Sequence, residues 1–418
     1  MSQGSHFQWD AQPGPLDFAA PENCRLRSRR CHKLAAVLRT FFYAVVALQI
    51  GSASGAEPRQ TRIGGSQFVG AAGCKSSSCH GGAGEKRSQH ITWMRHDVHT
   101  RGFAILTNAR SDRMADSLKL PQQQEGMLRA TTSARCTVCH SPFQALSQAQ
   151  RPPAADPTES VSCESCHGAA RVWLRGHTRT DWTYATRVGA GMRDLKSFYV
   201  RANTCVACHQ NLDADIAAAG HPDLLFEMDR QTVAQPRHWR DPEGSGVRAW
   251  LVGQAVALRE TSWKLAQSPL GNEQTLDQWR GLAWLLSRVT ASDRTLLPVE
   301  FPGPGEVVVY SRTQQQADAL ARRAAQQNFT AAFAQRMLNE LTTTHSEFVV
   351  TSDTPREVLF RRAQRLVLAL EALDAENKAP SEHLTSLRDN LQYPYNFDPA
   401  QFAAKLEKLR HAPASSAR

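Results

Sequence analysis

The chain has 418 residues, enough for two or three domains and a sizeable buried core. Lys and Arg outnumber Asp and Glu by ten, but they are spread along the chain instead of forming a stripe, which argues against nucleic acid as a partner. Of the ten cysteines, the eight between residues 74 and 208 all fall in one repeated pattern, which excludes a scattered disulfide scaffold.

Near the N-terminus, Arg25, Arg27, Arg29, Arg30 and Lys33 precede an apolar run over residues 34–50 that only Arg39 and Gln49 interrupt. Ser54-Gly55-Ala56 follows, and the whole reads as an export signal over residues 1–56, cleaved after Ala56, with a periplasmic product. The run after Arg39 is short for a bilayer, so an uncleaved anchor is the lesser alternative. No transmembrane span is expected after signal removal, although association with a membrane surface stays compatible with the sequence.

Residues 57–73 form a polar, Gly-rich arm. Cys74-Lys75-Ser76-Ser77-Ser78-Cys79-His80 then gives a Cys-x4-Cys-His segment. Three pentapeptides follow: Cys136 to His140, Cys163 to His167 and Cys205 to His209, each Cys-x-x-Cys-His. This is the attachment signature of c-type haem. Two thiols must form thioethers to the porphyrin edge while the adjacent imidazole reaches the iron beneath it, and one helical turn puts the first Cys and the His on one face. Structural zinc seldom repeats a His directly after the second Cys, and a redox dithiol would occur once. Beside three regular motifs, the Cys-x4-Cys-His segment reads as a fourth, its Ser run looping outward. The expected cofactors are four covalently attached haems c and their iron. Cys74, Cys79, Cys136, Cys139, Cys163, Cys166, Cys205 and Cys208 would hold the porphyrins, and His80, His140, His167 and His209 would be the proximal ligands.

Saturated irons need further imidazoles. Residues 88–114 read as one helix carrying His90, His96 and His99, of which His99 is the best placed because Phe103 and Leu106 share its face. His177 ends a short helix after the third motif and is available to a neighbouring haem. His221, between Gly220 and Pro222, is held by a rigid turn that suits a ligand. His238 is a weaker candidate of the same kind. Six non-motif histidines lie between residues 57 and 240, enough for four irons. Glu164 and Asp97 are candidates for tuning the centres through hydrogen bonds.

After a linker over residues 240–246 the composition turns to Ala, Leu, Gln, Glu and Arg with helical periodicity. Leu359, Ala363, Leu366, Leu370 and Leu373 mark one stripe, with Thr354-Pro355-Arg356-Glu357 before it as a capping box. Asp398-Pro399 opens another helix. Residues 298–309 suggest a turn with a short strand, residues 412–418 a disordered tail, and His345, His383 and His411 solvent-facing positions. The fold class expected is mainly α: a loop-rich multihaem cytochrome c domain (57–245) followed by an all-helical C-terminal domain (246–418).

The order of these motifs, with the His-bearing helix over residues 93–103, Val161-Ser162 before the third motif and Gly220-His221-Pro222, resembles the tetrahaem cytochrome c family typified by cytochrome c-554. The resemblance covers residues 68–239. It implies a helical, loop-rich fold with haems stacked in close pairs and periplasmic electron transfer from a hydroxylamine-oxidising multihaem enzyme. Carried over by motif, it implies His80, His140, His167 and His209 as proximal ligands and His99, His177 and His221 as distal ones. It also implies that one iron can lack a strong distal ligand. The leading function is an electron carrier exchanging electrons with redox partner proteins, a multihaem oxidoreductase or a small cytochrome. The alternative is an enzyme acting on a small nitrogen or sulfur species at one five-coordinate haem.

Overall fold

The computed structural model describes residues 67–121, 128–146, 150, 156, 158–210, 212–232, 235–236, 241, 245–268, 273–301, 307–349, 354–374 and 382–411. The expected export signal, His238 and residues 412–418 lie outside them. Among the described residues every regular element is a helix, and none is long and apolar enough to cross a membrane. The described residues all fall in one compact unit.

The first half is built of short helices: α1 (Gln89–His96), α2 (Gly102–Ile105), α3 (Ala109–Ser117), α4 (Arg129–Thr132), α5 (Ala134–His140), α6 (Cys163–His167), α7 (Tyr184–Gly189), α8 (Phe198–His209), α9 (Ala214–Ala218) and α10 (Met228–Gln231). The single helix expected over residues 88–114 is therefore three helices and a 3-10 turn, Val98–Arg101. Local side-chain bonds break it, as short polar residues do when they offer the backbone another partner. Asp97 is extended (φ −82°, ψ 120°) and its carboxylate accepts from His99 N. Asn108 then caps α3 by accepting from Ser111 N at 2.9 Å.

The second half holds longer helices: α11 (Ser245–Gln267), α12 (Glu273–Ser292), α13 (Val307–Gln326), α14 (Ala331–Thr342), α15 (Ser346–Val349), α16 (Arg356–Leu373), α17 (Glu382–Asp389) and α18 (Pro399–His411). Residues 249–258 of α11 are all buried, as a helix apolar on every side must be, so α11 is the axis of the bundle. It lies along α13, α12 and α16 on its several sides. Trp250, Trp279 and Trp284 fill the interior, and the two latter find acceptors for their indole N–H in Ser262 Oγ (3.0 Å) and Glu347 Oε2 (2.9 Å).

Three local readings are corrected here. Pro355, not Thr354, is the N-cap of α16 and makes no side-chain cap bond; its ψ of 146° is extended, and the helix starts at Arg356. Val307 opens α13 where a short strand was expected, and residues 298–301 have no regular structure. His345 is half-buried and its Nδ1 donates to Thr342 O at 3.2 Å, whereas His383 and His411 are exposed. At α18, Asp398 Oδ1 accepts from Ala400 N and Gln401 N, so the first turn is capped by its carboxylate.

The core of the bundle does not stop at α11. Phe198, Ala202 and Val206 of α8, with Phe226 and Met228, belong to the same buried cluster. Gly253 permits this, since a Cβ there would stand 3.0 Å from Met228 Cβ. A polar node closes the junction: Tyr199 Oη donates to Asp318 Oδ1 (2.6 Å), and Arg259 donates to Asp318 Oδ1 (3.0 Å) and to Asn203 Oδ1 (2.5 Å). The helix that carries the fourth Cys-x-x-Cys-His is thus built into the bundle.

Candidate haem centres

The first motif is irregular. His80 N donates to Cys74 O and Gly81 N to Ser76 O, so the Ser run folds back over the residues that follow. Only glycine fits there: a Cβ at Gly81 would lie 1.8 Å from Lys75 O, and one at Gly82 would lie 2.2 Å from Ser77 O. The second motif ends α5, the third is α6 and the fourth ends α8, so in each the first Cys and the His lie one turn apart on one face.

Three motif imidazoles each face an imidazole from elsewhere in the chain. His80 faces His177 with ring centroids 6.2 Å apart and planes 19° apart. His140 faces His221 at 6.2 Å and 63°, and His209 faces His99 at 5.8 Å and 84°. Two metal–nitrogen bonds of about 2 Å and two ring radii of about 1.1 Å put the centroids of trans ligands about 6.2 Å apart. Each separation is thus close to what two imidazoles would need to hold one metal between them.

Second partners turn these rings the right way. His80 Nδ1 donates to Gln89 Oε1 (3.0 Å), whose amide is oriented by its own bond from Nε2 to Glu85 O (2.7 Å). His140 Nδ1 donates to Gly102 O (3.1 Å), His177 Nδ1 to Leu174 O (2.5 Å), His221 Nδ1 to Pro222 O (2.7 Å) and His99 Nδ1 to Asp97 Oδ1 (2.7 Å). Each acceptor is an oxygen, so the proton sits on Nδ1 and the Nε2 lone pair is left for a metal. Burial holds His140, His177 and His209 below the ordinary imidazole range, which favours the neutral form that a metal would require.

The turns that aim these rings have identifiable causes. Gly220 has φ 103°, a left-handed conformation that lets His221 leave α9 sharply, and Arg110 donates from Nε (3.0 Å) and Nη2 (2.5 Å) to Gly220 O. Gly102 presses against the second motif, where a Cβ would lie 2.6 Å from His140 O. Phe226 rests 6.3 Å from His209, and its carbonyl accepts from the fully buried Arg365 Nη1 (2.8 Å) and from Gln254 Nε2 (3.1 Å). Burial lowers the Arg365 guanidinium to about 9, so it still carries its charge at neutral pH.

The sulfur atoms cluster as well. Cys74 lies beside Cys163 and Cys139 beside Cys208; burial pushes the Cys205 thiol up, Cys139 and burial push the Cys208 thiol up, and Cys166 is near enough to add to both shifts. In space the attachment segments adjoin in the order first, third, fourth, second. Two carboxylates fix the first contact. Glu164 accepts from Val69 N (2.9 Å), Gly70 N (2.7 Å) and Ala170 N (2.6 Å), and Glu159 accepts from Ala71 N (2.9 Å) and Ser162 Oγ (2.5 Å), which straps the arm before Cys74 to the third motif. Burial raises the Glu164 carboxyl, against the pull of those N–H bonds.

Of the remaining candidates, His90 is tilted against Trp93 at 5.4 Å, with burial lowering it, and His96 is exposed on α1. His167 ends α6, and its carbonyl accepts from Arg193 N at 2.9 Å. His238 lies outside the described residues. Gly102, Arg110 and Glu159 have no local signature because each acts through a contact far along the chain, and Gln89, nine residues after His80, sits at no recognised spacing from its motif.

Residues 72–168 match the family described as cytochrome c554 and c-prime. No curated protein and no solved structure matches the chain.

Proposed function

We propose, from the premise that residues 72–168 carry a c-type cytochrome of the cytochrome c554 and c-prime family, that this chain is an exported tetrahaem electron carrier. What supports the reading is the set of three imidazole pairs at axial-ligand spacing, each drawn from a different attachment motif.

In this reading Cys74 and Cys79, Cys136 and Cys139, Cys163 and Cys166, and Cys205 and Cys208 form the thioethers. The axial ligands are His80 with His177, His140 with His221, and His209 with His99. For the iron of His167 the candidate retained is His238, which lies outside the described residues. When bound, the haem iron supplies one-electron redox chemistry. The protein's own residues do the rest. Asp97, Gln89 and three backbone carbonyls hold the Nδ1 protons and so set ring orientation and basicity. The adjoining attachment segments suit a conduit between partner proteins, a multihaem oxidoreductase at one end and a small cytochrome at the other. Residues 57–245 attach the haems, residues 246–418 act as their scaffold, and the leader over residues 1–56 directs the chain to the periplasm.

The test is a pyridine haemochrome count with optical and EPR spectra before and after nitric oxide. The expected result is four haems per chain, all low-spin and inert to the ligand. A lower count, or a high-spin fraction near one haem in four that binds nitric oxide, overturns the saturated carrier and directs attention to a small-molecule reaction at that iron.

A further inference from the structure

Two hydrogen-bond donors beside His177 have nothing to donate to. Trp173 is 6% exposed and stands edge-on to the His177 ring at 5.5 Å and 89°, yet its indole Nε1 is buried without an acceptor. Arg187 of α7 also lies close enough to His177 for its charge to act on that imidazole, and its Nε is buried without an acceptor too. Among the described residues no Asp or Glu forms an ion pair with Arg187. Packing holds this corner closed, because the Trp182 ring covers Gly176, where a Cβ would stand 2.2 Å from it.

Buried N–H groups are almost always paired, and two unpaired ones at one histidine point to one shared acceptor. A guanidinium makes that acceptor anionic, since Arg pairs best with planar carboxylates. We propose that Trp173 and Arg187 receive a propionate carboxylate of the haem held by His80 and His177, the indole Nε1 and guanidinium Nε donating to its oxygens. This rests on the His80–His177 pairing. The carboxylate brings negative charge close to the metal and favours the oxidised form; the two donors offset that charge and raise the reduction potential of this one centre.

The experiment is an EPR-monitored redox titration of the haem-loaded protein and of Arg187→Gln, Trp173→Phe and Arg187→Lys. Near-parallel imidazole planes give a rhombic low-spin signal, unlike the more axial signal of near-perpendicular ones, and its loss in His177→Ala identifies this centre. Arg187→Gln is expected to shift the equilibrium of that signal about tenfold toward the oxidised form, about 59 mV for one electron. Trp173→Phe should shift it about threefold, as loss of one hydrogen bond from an uncharged donor does. Arg187→Lys keeps the charge and stays within about twofold of the parent. A rhombic signal whose midpoint is unmoved in both Arg187→Gln and Trp173→Phe, or an equal shift at every haem, overturns the proposal while leaving the ligand pairing intact. Absence of the His177-dependent signal from the parent protein overturns the pairing and the proposal with it.

Discussion

Replacing Asp318 by Asn tests how firmly the fourth attachment helix is built into the bundle. The carboxylate accepts from Tyr199 Oη and Arg259 Nη1 at one oxygen and from Arg322 Nε (2.7 Å) at the other. Asn keeps one oxygen for the first two donors and turns an NH2 toward Arg322. Arg322 is 62% exposed, so that bond counts for little in water. The other two change from charge-assisted to neutral acceptance, a loss of about 1 kcal/mol each and about 2 kcal/mol together. For the Gly64–Arg418 unit, at about 2 cal/mol/K per residue, this lowers Tm by about 3 °C. The pH dependence has a definite sign. Burial alone would raise Asp318, but bonds from Arg322, Tyr199 and Arg259 prevail and hold it below the usual carboxylate range. A depressed folded pKa gives stability that is present above the unfolded value, about 3.9, and lost as pH falls through the folded one. Scanning calorimetry of the haem-loaded protein should therefore show the gap at pH 7 and show it shrinking below about pH 4. Equal Tm values at pH 7, or a gap undiminished in acid, would refute the reasoning.

Gly102→Ala must push α2 away from His140 O, and we expect it to alter the low-spin EPR signal of the His140 centre while leaving the haem count at the parent value. Asp97→Asn removes the charged acceptor of His99 Nδ1; the imidazole becomes a weaker donor, and the midpoint of the His99–His209 centre should rise in a redox titration. Leu366→Ala opens a cavity in the fully buried α16 face and should cost about 2–5 kcal/mol by calorimetry. If Leu366→Ala changes the haem stoichiometry, the division of labour between attachment and scaffold is wrong.

The attachment motifs are legible in the sequence because thioether formation needs contiguous residues, so the chemistry leaves a local signature. Facing relations have no such signature. His177 lies ten residues after His167 yet faces His80, and His99 follows the first motif yet faces the fourth. The Glu164 and Glu159 straps, the bonds from Trp93 Nε1 to Val161 O and from Phe103 N to Ser160 Oγ, and the α8–α11 junction help to bring those segments together. The mainly helical class follows from periodicity and holds, but periodicity is blind to a carboxylate such as Asp97, which draws the backbone out of a helix to serve its own neighbour. It is equally blind to Pro355, whose composition suggests a first helical residue and whose extended ψ makes it the cap.

Phe226 rests on His209 with its backbone pinned by Arg365 in the heart of the bundle, so the packing of α11 and α16 bears directly on the orientation of an imidazole proposed to hold an iron. Linkage is reciprocal: whatever the bundle contributes to the preference of that centre for one oxidation state, the oxidation state returns to the bundle as stability. Heat capacity scans under oxidant and under reductant should then differ in the melting of the C-terminal helices, which carry none of the attachment motifs. Electron occupancy would be written into the mechanical strength of the scaffold.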